Sequence, residues 1–356
     1  MTPIIAHSPH AHAGNSVQRI MATVMLALLP ATLFGFWLYG WPAVYLWAVS
    51  LLAAVVGEAA MLRFQRRAVK PAILDGSGVL TAWLLALSLP PWAPWWIAVA
   101  GSVFAVIIGK QVFGGLGQNV FNPAMAARVM LLISFPLEMT TWVPPMSALP
   151  GMFDSFAVTF GGAQLDAVSS ASLLGHVKTE FSRGLGLEQA LAGHYAPLAA
   201  LWGQRSGSLG ETSALLILAG GVFLIARRII TWHAPVAMLA GVALPALLMN
   251  LVDPGHYAGP VYHLLSGGVM LGAFFIATDP VTSPNTAAGQ LLFGLGCGLL
   301  TYVIRTWGAY PEGVAFAVML MNSATPVIDR YVKPRIYGRT RKGATLSVEP
   351  AKKDAA

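Results

Sequence analysis

Ten long apolar runs dominate this chain and limit what it can fold into. Each run is close to the length needed to cross roughly 30 Å of hydrocarbon. Only 10% of the 356 residues are charged, whereas soluble domains carry about 25%. The sequence therefore predicts an all-α polytopic membrane protein with about ten transmembrane helices. The predicted spans are residues 20–39, 42–62, 73–90, 93–110, 122–137, 212–229, 233–251, 260–278, 287–305 and 311–329.

Lysine and arginine are distributed unevenly between the loops that join these spans. With the N-terminus in the cytoplasm, 16 of the 21 Lys and Arg residues fall on the cytoplasmic side, four fall on the opposite side, and Arg128 lies inside a span. The positive-inside rule then predicts cytoplasmic termini and an outward-facing loop at residues 138–211, periplasmic in a Gram-negative cell. The net charge of +7 lies mostly in juxtamembrane clusters, so we expect contact with the lipid bilayer and no nucleic-acid partner.

The long loop divides the chain into two halves of five predicted spans each. An odd number of spans places the halves in opposite orientation, which predicts two inverted five-helix repeats at residues 20–137 and 212–329. Residues 1–19 and the basic tail at residues 330–356 flank them on the cytoplasmic side. Ser77-Gly78 and Ser266-Gly267 begin loosely similar segments in the two halves. Folds of this kind place ion or substrate sites near the midplane, at broken helices, and Pro90-Pro91, Asn122-Pro123 and Asp279-Pro280 are candidate breaks.

The outward loop contains the small, hydroxyl-rich segment Asp166-Ala-Val-Ser-Ser-Ala-Ser172. A phosphoester needs an exposed hydroxyl, and small neighbouring residues let a modifying enzyme grip the backbone. Most Ser-rich loops are simply solvated turns. The segment taken alone therefore leaves both a plain loop and a modification site open.

Three carboxylates, Glu58, Asp75 and Asp279, lie within or at the edge of predicted spans. An ionisable group at the centre of a membrane costs about 2.5 kcal/mol or more, so such a group is by default a functional hypothesis. We expect these residues to line an ion path, with Asp75 and Asp279 at loosely corresponding points of the two halves. Hydrated placement at the interface, where the carboxylates cap helices, is the alternative.

Several other chemistries find no support in the sequence. The single cysteine, Cys297, forms no internal disulfide and cannot alone hold zinc or an iron–sulfur cluster, so we expect it to pack in the core. The eight histidines form no metal-binding set. The run Gly114-Gly-Leu-Gly117 lies between spans rather than in a βαβ unit, which excludes a Rossmann loop. We therefore assign no catalytic residue, no metal ligand and no NAD or ferredoxin site to this chain.

Long stretches closely resemble the RnfD subunits of the Rnf ion-translocating electron-transport complex. That family also includes a membrane subunit of the sodium-translocating NADH:quinone oxidoreductase. The stretches are residues 94–125, with Lys110-Gln-Val-Phe-Gly-Gly, residues 263–282, with Ala277-Thr-Asp-Pro-Val, and residues 310–319 and 8–12. Residues 166–172 resemble the flavin-attachment pattern D-x-x-[ST]-x-A-[ST] of that family.

The resemblance implies FMN joined through its phosphate to Ser172, with Asp166, Ser169 and Ala171 recognised by a flavin transferase. The family usually has Thr at the acceptor position, Gly where this chain has Ser170, and Pro where it has Leu173. Serine is nonetheless a suitable acceptor, because both hydroxyls form phosphoesters.

The resemblance also implies a function. The chain would be a multi-pass subunit of a bacterial inner-membrane translocase that couples electron exchange between ferredoxin and NAD to movement of Na⁺ or H⁺. Partner subunits, some in the membrane and others bearing flavin or iron–sulfur clusters, would bind ferredoxin and NAD. A noncovalent riboflavin is also compatible with the resemblance, although the sequence gives it no position. A flavin-free channel or transporter of the same inverted-repeat fold, for a small solute or cation, is the alternative.

Overall fold

The fold comes from a computed structural model that describes residues 16–146, 149–161, 171–193, 195–211 and 213–334. Within these ranges the regular elements are helices and no β-strand is present. The predicted all-α fold is therefore confirmed. Most of the predicted N-terminal segment and basic tail lies outside the described residues.

Residues 16–140, all of which the structure describes, contain seven α-helices. The fifth continues directly into a π-helical turn, Ile107–Gln111. The helices are α1 Val17–Tyr39, α2 Trp41–Phe64, α3 Val69–Leu74, α4 Ser77–Ser88, α5 Trp95–Val106, α6 Pro123–Ser134 and α7 Pro136–Thr140.

Ten further α-helices follow within the described residues. A second π-helical turn, Gly272–Ile276, extends the short helix α15. The helices are α8 Met152–Gly161, α9 Leu173–Ser182, α10 Leu187–Leu191, α11 Pro197–Trp202, α12 Ala214–Ala226, α13 His233–Val252, α14 Pro260–Leu265, α15 Val269–Leu271, α16 Ala287–Trp307 and α17 Val314–Tyr331.

Helices long enough to cross a membrane are fewer than the predicted spans. Among the described residues, α1, α2, α13 and α16 are long and apolar enough, whereas α4, α5 with its π-turn, α6 and α12 are shorter apolar helices of 10–17 residues. The predicted span 260–278 is divided at Gly267, whose positive φ of 64° ends α14 before α15 can begin. In the first half, Gly76, with a φ of 78°, separates α3 from α4 near the start of the predicted span 73–90. Broken helices are thus a feature of both halves.

Small residues let α13 and α16 approach each other closely. A Cβ added at Gly241 of α13 would lie 2.5 Å from the backbone oxygen of Leu295, and one added at Gly298 of α16 would collide with the backbone oxygen of Met238. Such small-residue contacts are typical of helix pairs in membranes, where van der Waals packing replaces the hydrophobic effect. Cys297 is fully buried beside this interface, which confirms the expectation that it packs in the core.

We call the end of the bundle at which α1 begins the inner end, and the end at which α1 finishes the outer end. The outward segment, by which we mean the described part of residues 138–211, covers the outer end. The Tyr39 hydroxyl at the end of α1 donates to the backbone oxygens of Arg205 and Gly207, at 3.1 and 3.2 Å. Helices α9 and α10 pack there through a small apolar cluster that includes Leu173 and Leu187. The predicted loop is therefore, in its described part, a folded helical cap.

Candidate functional site

Ser172, the predicted acceptor of FMN, begins helix α9 at the outer end. Its Oγ accepts a hydrogen bond from the Gly175 amide at 3.1 Å, which makes Ser172 the N-cap of α9. A helix N-terminus presents unpaired amides and partial positive charge, and both suit a phosphate group. Ala171 is exposed, while Asp166 and Ser169 of the same motif lie outside the described residues.

A cavity at the outer end, which we call the outer cavity, is lined by both Ser172 and Arg128 of α6. Arg128 is only 7% exposed, and its Nη1 atom has no hydrogen-bond partner among the described residues. The sequence placed Arg128 inside a span but gave it no role.

Glu312 also lines the outer cavity, but its carboxylate is already well partnered. Arg305 Nη2 lies 3.0 Å from both carboxylate oxygens, and the amides of Gly268, Gly313 and Val314 donate to them at 2.8–3.2 Å. These contacts hold the start of α17 against the junction between α14 and α15. Neither Arg305 nor Glu312 was selected from the sequence.

A second acid–base pair, Glu211 and Arg205, completes the charge cluster of the outer end. Arg205 Nη2 donates to the backbone oxygen of Glu211 at 2.9 Å. Burial lowers the pKa of the Arg205 guanidinium, while the nearby Glu211 carboxylate acts in the opposite direction. Glu211 also lines the outer cavity, beside Arg128 and Glu312, whereas Arg205 and Arg305 line other cavities.

A neighbouring cavity, the side cavity, shares Leu174 and Pro311 with the outer cavity. Lys178 lines it and donates to the backbone oxygens of Arg305, Gly308 and Tyr310 at the end of α16. Burial lowers the pKa of the Lys178 ammonium. Aromatic rings complete the wall, among them Phe181, which stacks on His256 with ring centroids 5.0 Å apart.

At the inner end, the structure brings two predicted ion-path residues together around Lys110. Lys110 Nζ lies 2.5 Å from Glu58 Oε1 and 2.6 Å from Ser77 Oγ, and the Ser77 hydroxyl in turn donates to Asp75. The Gln111 side chain donates to the same Glu58 oxygen at 2.8 Å. Lys110 counted among the cytoplasmic charges in the sequence. The π-turn at Ile107–Gln111 carries it into the protein, where it is 2% exposed.

Asp279, the third predicted ion-path residue, lies apart from Glu58 and accepts only neutral donors. These are the Asn122 side-chain amide at 3.2 Å, the Thr282 hydroxyl at 3.1 Å and the Val281 amide at 3.1 Å. No ion pair with a basic side chain is found for Asp279 within the described ranges. A cavity with an empty volume of about 810 Å³, the inner cavity, is lined by Asp279 together with Asn119, Asn122, Ser77 and Lys110.

The loose correspondence proposed between Asp75 and Asp279 stays a prediction. Both lie at the inner end, whereas inverted repeats place equivalent residues at opposite ends. The contacts of the Ser-Gly segments fit that arrangement better. Ser77 accepts from Lys110 at the inner end, and the backbone oxygen of Ser266 accepts from Arg305 at the outer end, at 2.9 Å.

Known proteins resemble this chain along nearly its whole length. Residues 4–338 match the model of the NQR2, RnfD, RnfE family. A protein of Stutzerimonas stutzeri, named as a subunit of an ion-translocating oxidoreductase complex, is 55% identical over 337 residues, which covers 93% of this chain and 95% of that protein. Proteins with the same name from Halorhodospira halophila and Escherichia fergusonii are 50% and 44% identical, covering 98% and 95% of this chain and 99% of each relative.

Proposed function

This chain belongs to the NQR2, RnfD, RnfE family, and we propose that it carries FMN on Ser172 and couples electron transfer to ion movement. It is a membrane subunit of an ion-translocating oxidoreductase complex, as its apolar spans and the names of its relatives indicate. Electron exchange between ferredoxin and NAD is a reaction of the whole complex. FMN, when bound, supplies the redox chemistry, and this chain supplies position and electrostatics.

The observation that carries the proposal is the position of Ser172. Its hydroxyl lies at the start of a ten-residue helix and on the wall of a cavity that contains a buried, incompletely partnered arginine. A phosphoryl group on Ser172 would meet the amides at the start of the helix, which proteins often use to hold phosphate. The Arg128 guanidinium lines the same cavity, together with the Glu211 and Glu312 carboxylates. Attachment forms the Oγ–P bond, breaks the bond from that phosphorus to its leaving group, and releases the hydroxyl proton.

The side cavity offers space for the flavin ring near Ser172. Its wall combines aromatic rings, including Phe181 and Tyr257, with the ammonium of Lys178. Aromatic faces stack on a planar ring, and a nearby cation favours electron density on it. The outward segment would thus hold the flavin at the outer end, where partner subunits can exchange electrons with it.

The residues that line the inner cavity support the proposal of an ion path. Glu58 is neutralised by Lys110, so it serves mainly to hold that cation in place, with Asp75 supporting the Ser77 hydroxyl between them. Asp279 accepts only neutral donors and faces the cavity beside the Asn119 and Asn122 side chains. Carboxylate and amide oxygens are suitable ligands for a hard cation, and a carboxylate also accepts a proton. Asp279 is therefore the proposed ion-binding residue, for Na⁺ or H⁺.

A noncovalent riboflavin is proposed for the apolar part of the inner cavity. Phe274 and Phe275 from the second π-turn and Leu80 from α4 line that part, while Asn119 and Asn122 offer polar contacts. Flavin and ion would then share one cavity between the two halves.

We further propose the partners of this chain and its location in the cell. Other membrane, flavin-bearing and iron–sulfur subunits would bring electrons to and from this chain, and a flavin transferase would modify Ser172. The charge asymmetry supports a bacterial inner membrane with both termini in the cytoplasm. Ser172 would then face the periplasm.

In-gel fluorescence of the denatured chain tests the covalent flavin directly. The chain is expressed with a flavin transferase, denatured, separated by electrophoresis and viewed under ultraviolet light. We expect a fluorescent band for the unaltered chain and for Ser172→Thr, and no band for Ser172→Ala. Mass analysis of the peptide that contains Ser172 identifies the modified residue. A dark unaltered chain would instead support the flavin-free channel or transporter.

A further inference from the structure

We infer that Asn322 of α17 is a positioning residue that holds the proposed ion-binding carboxylate, Asp279, between the two halves of the chain. The inference rests on the proposed function, since it requires an ion on Asp279. Asn322 is buried behind the residues that line the inner cavity. It therefore acts on the ion only through the side chains that surround Asp279.

Asp279 belongs to a closed ring of hydrogen bonds that Asn322 completes. The Asn122 side-chain amide and the Thr282 hydroxyl both donate to Asp279 Oδ2, at 3.2 and 3.1 Å. Asn322 Oδ1 accepts the Asn122 backbone amide at 3.0 Å, and Asn322 Nδ2 donates to the Thr282 backbone oxygen at 3.1 Å. Asn322, Asn122 and Thr282 are at most 3% exposed, so little water can compete for these bonds.

Backbone partners fix the orientation of both asparagine side chains in the ring. Asn322 Oδ1 meets a backbone N–H and its Nδ2 meets a backbone carbonyl, so only one orientation of the amide satisfies both. Asn122 Oδ1 accepts the backbone amides of Ala124 and Met125 at the start of α6, at 3.1 and 3.2 Å. The Asn122 amide nitrogen is therefore the atom that faces Asp279.

The ring joins elements that lie far apart in the sequence. Asn122 is the N-cap of α6 in the first half, whereas Asp279 and Thr282 follow the second π-turn in the second half. Asn322 lies on α17, and its hydrogen bond to Asn122 spans 200 positions of the chain. Thr325, one turn further along α17, also donates to the Thr282 backbone oxygen, at 3.0 Å. Helix α17 therefore holds the two helix breaks in register, and with them the carboxylate between the halves.

The ring leaves Asp279 able to bind an ion in one fixed direction. A carboxylate has about four acceptor sites, and Asn122, Thr282 and the Val281 amide occupy three of them. Asp279 also lines the inner cavity, from which an ion would reach the remaining site. Without Asn322, the residues that orient the carboxylate lose their own anchors. Loss of a residue that orients a ligand typically changes ion affinity by about 10–100-fold.

Ion uptake by the whole complex in vesicles, measured over a series of Na⁺ concentrations and then of pH values, tests the role of Asn322. Asn322→Ala should raise the half-saturating Na⁺ concentration by about tenfold or, if the complex moves H⁺, shift the pH of half-maximal uptake by about one unit. The maximal rate per assembled complex should change little. Asn250→Ala is the matched control, because Asn250 is a half-buried asparagine that donates to the Tyr257 backbone oxygen at the outer end. It should keep both values.

The outcomes separate this inference from the proposed function. Normal uptake by Asp279→Asn overturns the ion site and, with it, the role of Asn322. Loss of uptake by Asp279→Asn, with unchanged half-saturation for Asn322→Ala, overturns only the role of Asn322. A lower maximal rate at unchanged half-saturation also overturns that role, because a merely structural residue gives this result. If Asn322→Ala does not assemble, Asn322→Ser, whose side chain is too short to reach both partners, replaces it with the same two readings.

Discussion

Lys110 and Glu58 form an ion pair, 2.5 Å between Nζ and Oε1, in which both side chains are at most 3% exposed. Ser77 and Gln111 complete the pair by bonding to the ammonium and the carboxylate. The pair joins α2 to the π-turn after α5 beside the inner cavity. A carboxylate that the sequence predicts as part of an ion path is thus fixed by a permanent counter-charge.

Removing one partner of this pair should destabilise the chain strongly. Lys110→Met leaves a buried carboxylate without its cation, at a cost of about 3–5 kcal/mol. The double variant Lys110→Met/Glu58→Gln should recover most of that loss. Thermal midpoints of the four chains in detergent give the coupling, and Arg63→Met, at an exposed position of α2, serves as a control. Additive effects would show that the pair contributes no coupling.

The N-cap role of Ser172 can be separated from its role as acceptor. Ser172→Asn keeps a capping side chain but has no hydroxyl, so it should be as dark as Ser172→Ala while remaining more stable by about 1 kcal/mol. In-gel fluorescence and the thermal midpoint provide the two readouts. Thr179→Ala removes an exposed hydroxyl of the same helix and should stay fluorescent. Fluorescence of Ser172→Asn would move the attachment to another residue.

Asp279→Asn should uncouple ion movement without affecting the covalent flavin. The substitution removes the charge that the proposed ion path needs, but it lies at the opposite end of the bundle from Ser172. Ion uptake by the whole complex in vesicles should fall by roughly tenfold or more, as expected for loss of an intramembrane charge on an ion path, while in-gel fluorescence is unchanged. Asp253→Asn, at an exposed position, is the matched control and should retain uptake. Normal uptake by Asp279→Asn would exclude this residue from the path.

Enlarging Gly298 should separate α13 from α16. A Cβ at this position meets the backbone oxygen of Met238, which cannot move aside as a flexible side chain would. Gly298→Val should therefore cost about 1–3 kcal/mol or more, seen as a lower thermal midpoint or poor recovery from the membrane. Gly186→Ala, where the space around the added atom is open, should be close to neutral. An unchanged midpoint for Gly298→Val would mean that the helices do not pack this closely.

The sequence by itself determined that the chain is an all-helical membrane protein, because a shortage of charge and a succession of apolar runs allow little else. It also determined the family and singled out Ser172, since these follow from residue identity along the chain. Glu58, Asp75 and Asp279 were selected for the same reason: a carboxylate near lipid is conspicuous without any structure. FMN and the ion path remain predictions for the experiments above.

Only the tertiary structure decided which charges meet. In the sequence, Lys110 looks like a cation in a loop, but in the structure a π-turn directs it to Glu58. A single irregular turn of this kind leaves no periodic pattern in the sequence. Arg128 and Ser172 are distant in the sequence, yet they line one cavity because the outward segment folds back over the outer end. Apolar runs indicate which segments form helices in the membrane. The partner of a buried charge, however, depends on how those helices pack against one another. Packing between distant segments is what the linear order of residues does not specify.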